Sequence, residues 1–198
     1  MKLTGYKTSP YFRLIHTLCI ELGFECELDI ITFVMKATPN ELDILKSKNP
    51  LIKIPVLIDG DITIFDSRII ANYLLNKAQE TRDISFPLTI DEENRLSAIY
   101  GMLESGLLRF IMSQDNADMR SWYMKRSYDR IGDSLSYLND QDFSPARFGI
   151  PEILLVCTLE WFEKRQIYDW RTFPKLENIY TAYKDRASLI ETRIPENA

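Results

Sequence analysis

Apolar residues at 11, 14, 15, 18, 19 and 22 recur at the three-and-four spacing of a helix face, which predicts a helix from Pro10 to Leu22. Gly23 sits just past its end, where a left-handed turn commonly stops a helix. Leu3-Thr4-Gly5-Tyr6 before it and Cys26 to Ile31 after it read as strands. Pro39 to Lys48 reads as a short helix ended by Asn49-Pro50. Val56-Leu57-Ile58 and Ile62-Thr63-Ile64-Phe65 form a hairpin around Asp59-Gly60-Asp61. A further helix follows Asp66-Ser67, with Ile69, Ile70, Tyr73 and Leu74 at helical spacing. The order is β-α-β-α-β-β-α, one small sheet with helices on its faces.

The pattern changes near residue 80. Asn76 to Pro87 is a mostly polar linker, and beyond it no strand signal remains. Ile90 to about Gln114 and Met119 to Leu138 read as long amphipathic helices. Asp140 to Phe148, with Pro145, reads as a loop. Ile150 to Glu163 is the most apolar helix of this half, and Pro174 to Arg186 is the last clear one. At Gly149-Ile150-Pro151-Glu152 a permissive cap, a first-turn proline and an acid mark a helix start. Glycine there removes the side-chain half of a capping box. The expected domains are 1–79, α/β, and 87–198, all-helical.

Charge and cysteine content narrow the function. A net charge of −5 and a pI near 5.1 argue against nucleic acid, which needs concentrated Lys and Arg. A membrane role is not expected either, since no apolar run approaches the ~20 residues a bilayer requires. Cys19, Cys26 and Cys157 make neither a C-x-x-C pair nor a disulfide framework, which fits a reduced, cytoplasmic setting. With one histidine and no thiolate cluster, no metal site is expected.

Residues 54–74 are the most informative stretch. A proline entering a strand is tolerated at a strand start or an edge. We expect a cis Ile54-Pro55 bond there, which leaves the backbone of Ile54 to pair with an extended peptide. Asp66-Ser67 puts a helix N-terminus, a ready carboxylate site, a few residues downstream. A peptide-backbone dock beside an anion pocket suits a small, acidic, peptide-like ligand.

Taken together, Thr8-Ser9-Pro10-Tyr11, Asn49-Pro50, Ile54-Pro55-Val56-Leu57 and Asp66-Ser67, followed by a helical half, resemble the soluble glutathione transferases. The tail, Phe173-Pro174-Lys175-Leu176 and Arg186-Ala187-Ser188-Leu189, is similar to that family's last helix and exit. The N-terminal block is most similar to small bacterial members with serine at the active position. The resemblance implies a thioredoxin-like first domain, an all-α second domain and glutathione as co-substrate. It implies that Ser9 donates to the glutathione sulfur and that Ile54 pairs with the cysteinyl backbone beside Pro55. Asp66 would accept the γ-glutamyl ammonium, Ser67 would hold that residue's carboxylate, and Lys53 would face the glycine carboxylate. Tyr11 and Phe12 are the candidates for the electrophile pocket. A small hydrophobic electrophile as second substrate and a detoxifying role go with the same resemblance. The 90–114 helix carries more apolar surface than one core face requires, so a two-fold homodimer across it and the 62–76 hairpin and helix is expected.

Each of these residues also has a purely structural reading. Ser9-Pro10 and Asp66-Ser67 are good helix starts on their own, and Lys53 is an ordinary surface charge. Function stays open among conjugation, glutathione-dependent peroxide or disulfide reduction, and a non-catalytic interaction role like that of the stringent starvation protein. A glutaredoxin-like dithiol is excluded at Ser9-Pro10-Tyr11-Phe12, where both sulfurs of Cys-Pro-Tyr-Cys are absent.

Overall fold

A computed structural model describes residues 1–78, 84–143 and 147–196. The chain runs β1 (Lys2–Gly5), α1 (Pro10–Leu22), β2 (Glu27–Ile30), α2 (Pro39–Lys48), β3 (Val56–Asp59), β4 (Ile62–Ile64) and α3 (Ser67–Lys77). It continues α4 (Ile90–Gln114), α5 (Trp122–Asp140), α6 (Ile150–Arg165), α7 (Pro174–Tyr183) and α8 (Ala187–Glu191). Single turns of 3-10 helix lie at Val34–Lys36 and Trp170–Thr172. The middle of the expected linker, residues 79–83, and Pro145 of the expected loop lie outside the described residues.

Two compact units emerge: Met1–Phe86 with Arg186–Ala198, and Pro87–Asp185. The first holds a four-stranded sheet in the order β2-β1-β3-β4, with β1 and β2 parallel and the other pairs antiparallel. Leu3 and Thr4 are both wholly buried although they point to opposite faces, so both faces of β1 are covered. On one face, Phe12 of α1 presses on Gly5. A Cβ at Gly5 would stand 2.3 Å from that ring, so glycine is required. On the other face, Lys48 at the end of α2 reaches Asp29 at 2.7 Å, and Thr4, paired in register with Asp29, donates to the same carboxylate at 2.8 Å. This is the thioredoxin-like α/β arrangement the sequence led us to expect, followed by helices.

The chain's last helix belongs with the first unit, whereas the expected boundary put all of 87–198 in the helical domain. Arg186 makes a two-pronged ion pair with Glu21 of α1 at 2.6 and 2.7 Å, and Ser188 donates to the same carboxylate. Arg13 Nε donates to the Thr192 carbonyl at 2.7 Å. The expected helix through Arg186 ends instead at Tyr183, and Arg186 becomes the residue that precedes α8.

The second unit is built on α4, against which α5 and α6 pack. Helix α6 is buried almost all round, from Ile150 to Phe162, as its unbroken apolar run anticipates. Ile99, Met102 and Leu103 of α4 and Ile131, Leu135 and Leu138 of α5 are likewise wholly buried. At the start of α6 the Glu152 carboxylate accepts from the Gly149 N–H at 2.8 Å, while glycine offers no hydroxyl in return. Helix α5 begins at Trp122 rather than Met119, because Ser121 caps it and Asp118 holds the Arg120 N–H in a preceding turn.

Candidate functional site

Strand register gathers the candidate residues. Thr4 pairs with Val56, so the end of β1 lies beside the start of β3. Leu57 pairs with Ile64, so the end of β4 lies there too. Ser9 follows β1, Ile54-Pro55 precedes β3, and Asp66-Ser67 follows β4. Short connections therefore bring all of them to one end of the sheet. The same end receives the N-termini of α1 and α3, which pack against each other.

Ser9 is buried and has extended backbone. Its hydroxyl accepts from the Phe12 N–H at 3.4 Å, a long contact, and Pro10 removes one of the first-turn donors that would otherwise need a partner. Asp66 is exposed, with its Oδ1 accepting from the Arg68 N–H at 2.9 Å. Ser67, the first residue of α3, is buried. Neither helix carries an acidic residue in its first turn. The positive ends of both helix dipoles therefore face this end of the sheet, that of α1 with no carboxylate and that of α3 with the exposed Asp66 carboxylate at its N-cap.

The Ile54-Pro55 peptide bond is cis. Pro55 is buried, and Ile54 lies two residues before the β3 ladder, which starts at Val56. The loop before it is organised by Asn49, which the sequence reading took as a helix stop and as part of the family resemblance, without a role in the loop. Asn49 is 2% exposed; its Oδ1 accepts from the Leu51 N–H at 3.0 Å and its Nδ2 donates to the Lys53 carbonyl at 2.8 Å. That side chain closes the loop around Ile52, which takes a left-handed φ of 51°. Asn before Pro is a recognised turn initiator, so the signal was present. Lys53 itself is exposed.

Of the candidate electrophile-facing pair, Tyr11 is half-buried, whereas Phe12 is 1% exposed and belongs to the core over Gly5. Burial pushes the Tyr6 phenol up to about 12, so it stays a protonated donor at neutral pH. Burial also holds His16 below its ordinary value, which leaves it uncharged there. Among the described residues no group of three or more His, Cys, Asp or Glu is placed to hold a metal ion. None of their helices is long and apolar enough to cross a membrane.

Residues 3–82 match the family model of the glutathione S-transferase N-terminal domain. The "uncharacterized GST-like protein YibF" of Escherichia coli K12 is 28% identical over 179 residues, 84% of each chain. A glutathione S-transferase structure from Methylobacillus flagellatus KT, with glutathione bound, is 25% identical at a TM-score of 0.81 over 98% of this chain and 99% of that one. A glutathione transferase family member from Pseudomonas fluorescens Pf-5, also with glutathione bound, superposes at 0.84 with 24% identity over 98% of both chains. Residues 3–82 are thus a glutathione S-transferase N-terminal domain, and the chain as a whole has the glutathione S-transferase fold.

Proposed function

We propose that the protein binds glutathione at this end of the sheet and uses its thiolate on small hydrophobic electrophiles. The observation that carries the reading is the convergence of cis-Pro55 with two helix starts that have no acid in the first turn, α3 carrying only the exposed Asp66 at its N-cap. Glutathione offers the complement: an extended peptide backbone, an α-carboxylate, a glycine carboxylate, one ammonium and a thiol. In this reading Ile54 pairs with the cysteinyl backbone, and Asp66 meets the ammonium. The Ser67 hydroxyl, with the α3 N-terminus, meets the neighbouring carboxylate, and exposed Lys53 meets the glycine end.

The Ser9 hydroxyl donates to the glutathione sulfur, and the α1 dipole adds to that stabilisation, so the thiol releases its proton to solvent at lower pH. The sulfur then bonds to the electrophilic carbon as the leaving group departs or the double bond takes the electron pair. No acid–base histidine is required, because the nucleophile belongs to the bound peptide. Tyr11 is the nearer candidate for contact with the electrophile, since Phe12 is committed to the core. Glutathione-dependent reduction of peroxides or disulfides would use the same bound thiolate. A homodimer, a cytoplasmic setting and a detoxifying role belong to this reading, and exposed Ile62 and Ile69 support the dimer.

Calorimetric titration with glutathione, followed by a screen of electrophiles and hydroperoxides, tests it. Saturable one-site binding and turnover of at least one class are expected. Binding without any turnover would move the protein to the non-catalytic interaction role, and absence of binding would remove the proposal.

A further inference from the structure

Two thiols that the sequence separates by seven residues meet in space: Cys19 Sγ and Cys26 Sγ stand 3.5 Å apart. The end of α1 brings this about. Gly23 takes a left-handed φ of 72°, the Phe24 N–H bonds back to the Cys19 carbonyl at 2.9 Å, and the Gly23 N–H bonds to the Ile20 carbonyl at 3.1 Å. This paired closure reverses the chain over the last helical turn, so the third residue after the glycine lands on Cys19. Cys26 then leads into β2, where the Glu27 N–H is held by the Met1 carbonyl at 3.0 Å.

The two sulfurs differ in access. Cys19 is 1% exposed, Cys26 is half-buried, and Gly23 and Glu25 of the turn between them are exposed. We propose that Cys19 and Cys26 are a reversible oxidation site, in which Cys26 reacts with a small hydroperoxide and Cys19 closes a disulfide. A disulfide needs a separation of about 2.0 Å, and the short exposed turn between the residues is the segment that adjusts. The Cys19 S–H donates to Cys26, which favours the Cys26 thiolate over its ordinary state against the opposing effect of burial. The same bond, with burial, holds Cys19 protonated.

The step balances as follows. The Cys26 thiolate bonds to the terminal peroxide oxygen, the O–O bond breaks, and the departing oxide takes a proton and leaves as water or alcohol. Cys19 then loses its proton and attacks the Cys26 sulfur. The S–S bond forms, and the S–O bond breaks with release of water. Two thiols are oxidised by two electrons and the hydroperoxide is reduced; external thiols reverse the change by exchange. Ser9 and the glutathione end of the sheet take no part.

The test uses the full chain, reduced and then treated with a small excess of hydrogen peroxide without glutathione. Of the three thiols, one is expected to remain when counted under denaturing conditions. The intact mass falls by two hydrogens, a peptide pair joining Cys19 to Cys26 appears, and dithiothreitol restores all three thiols. Cys19→Ser is expected to stop at a Cys26 sulfenic acid that dimedone traps, and Cys26→Ser to abolish the mass loss. A wild type that keeps three thiols, or that carries Cys26 to sulfinic acid while Cys19 stays reduced, overturns the proposal. The wild-type peptide map decides even if a variant does not fold.

Discussion

Helix starts in this protein come in two kinds. Helices α2 and α4 begin with complete capping boxes. Thr38 accepts from the Glu41 N–H at 3.3 Å while Glu41 accepts from the Thr38 N–H at 2.7 Å, and Thr89 and Glu92 repeat both distances. At α6, Glu152 supplies the carboxylate half alone. These helices neutralise their own N-termini. Helices α1 and α3 have no acid in the first turn: α1 is capped by the Ser9 hydroxyl, and α3 by the exposed Asp66 carboxylate at the N-cap alone. Helix α5 shows that a missing acid is insufficient, since Ser121 caps it without one. What sets α1 and α3 apart is that register places both starts beside cis-Pro55. A helix end closed by an acid in its own first turn is a stability device; two starts without one at a single sheet end are suited to an external anion.

The largest test of that contrast is Glu92→Ala. Glu92 is 2% exposed, accepts from the Thr89 N–H and holds Arg147 through two bonds of 2.6 and 3.0 Å. Its loss is expected to cost about 2–4 kcal/mol in urea denaturation, with glutathione affinity of the folded protein unchanged. An affinity change would blur the two kinds of helix start. Ser9→Ala comes next. It is expected to keep glutathione binding within a few-fold while lowering turnover by about 1–3 kcal/mol, one donor to a developing thiolate. Turnover that is unchanged at neutral pH would shift activation to Tyr6, Tyr11 or a backbone N–H.

The smallest effect lies at the opposite end of α1. Glu21 sits in the last turn, where the helix dipole disfavours an acid, and Arg186 with Ser188 compensates. Burial works to raise the Glu21 carboxyl, but those hydrogen bonds outweigh it and hold it below the ordinary 4.5. A depressed folded-state value gives stability that is present above the unfolded value and lost as pH falls through the folded one. Arg186→Ala is therefore expected to cost about 1 kcal/mol near neutrality. The two proteins should converge on acidification below the carboxylate range. A difference that persists there would assign Arg186 a packing role instead.

Local signals made most of the fold legible. Gly23, Asn49-Pro50, Asp59-Gly60 and Asp66 each mark an element end by their own backbone preferences, and the ends fall where those preferences place them. Local signals also misled where two competed. Met119 extended an apolar pattern past Ser121, whose cap decides the start of α5. Long-range pairings left no local trace. Glu21 and Arg186 lie 165 residues apart in the chain, so nothing near either announced that the tail returns to α1. The proximity of Cys19 and Cys26 was hidden differently, because spacing along the chain does not reveal how a helix end folds back. In the candidate site, residue types were readable, but their convergence rests on strand register. The core placement of Phe12 follows from the absent side chain at Gly5.

The central claim is that the α3 start receives the γ-glutamyl end of glutathione, and paired titrations test it most directly. Glutathione and cysteinylglycine, which lacks the γ-glutamyl group, are titrated by calorimetry against the wild type and Asp66→Ala. The expected result is a loss of about 1–3 kcal/mol for glutathione in the variant, about ten- to a hundredfold. Cysteinylglycine should bind the wild type weakly and lose little further affinity. If Asp66 serves only as the α3 cap, the variant loses about 1 kcal/mol of stability and binds glutathione as tightly as before, which would contradict the account.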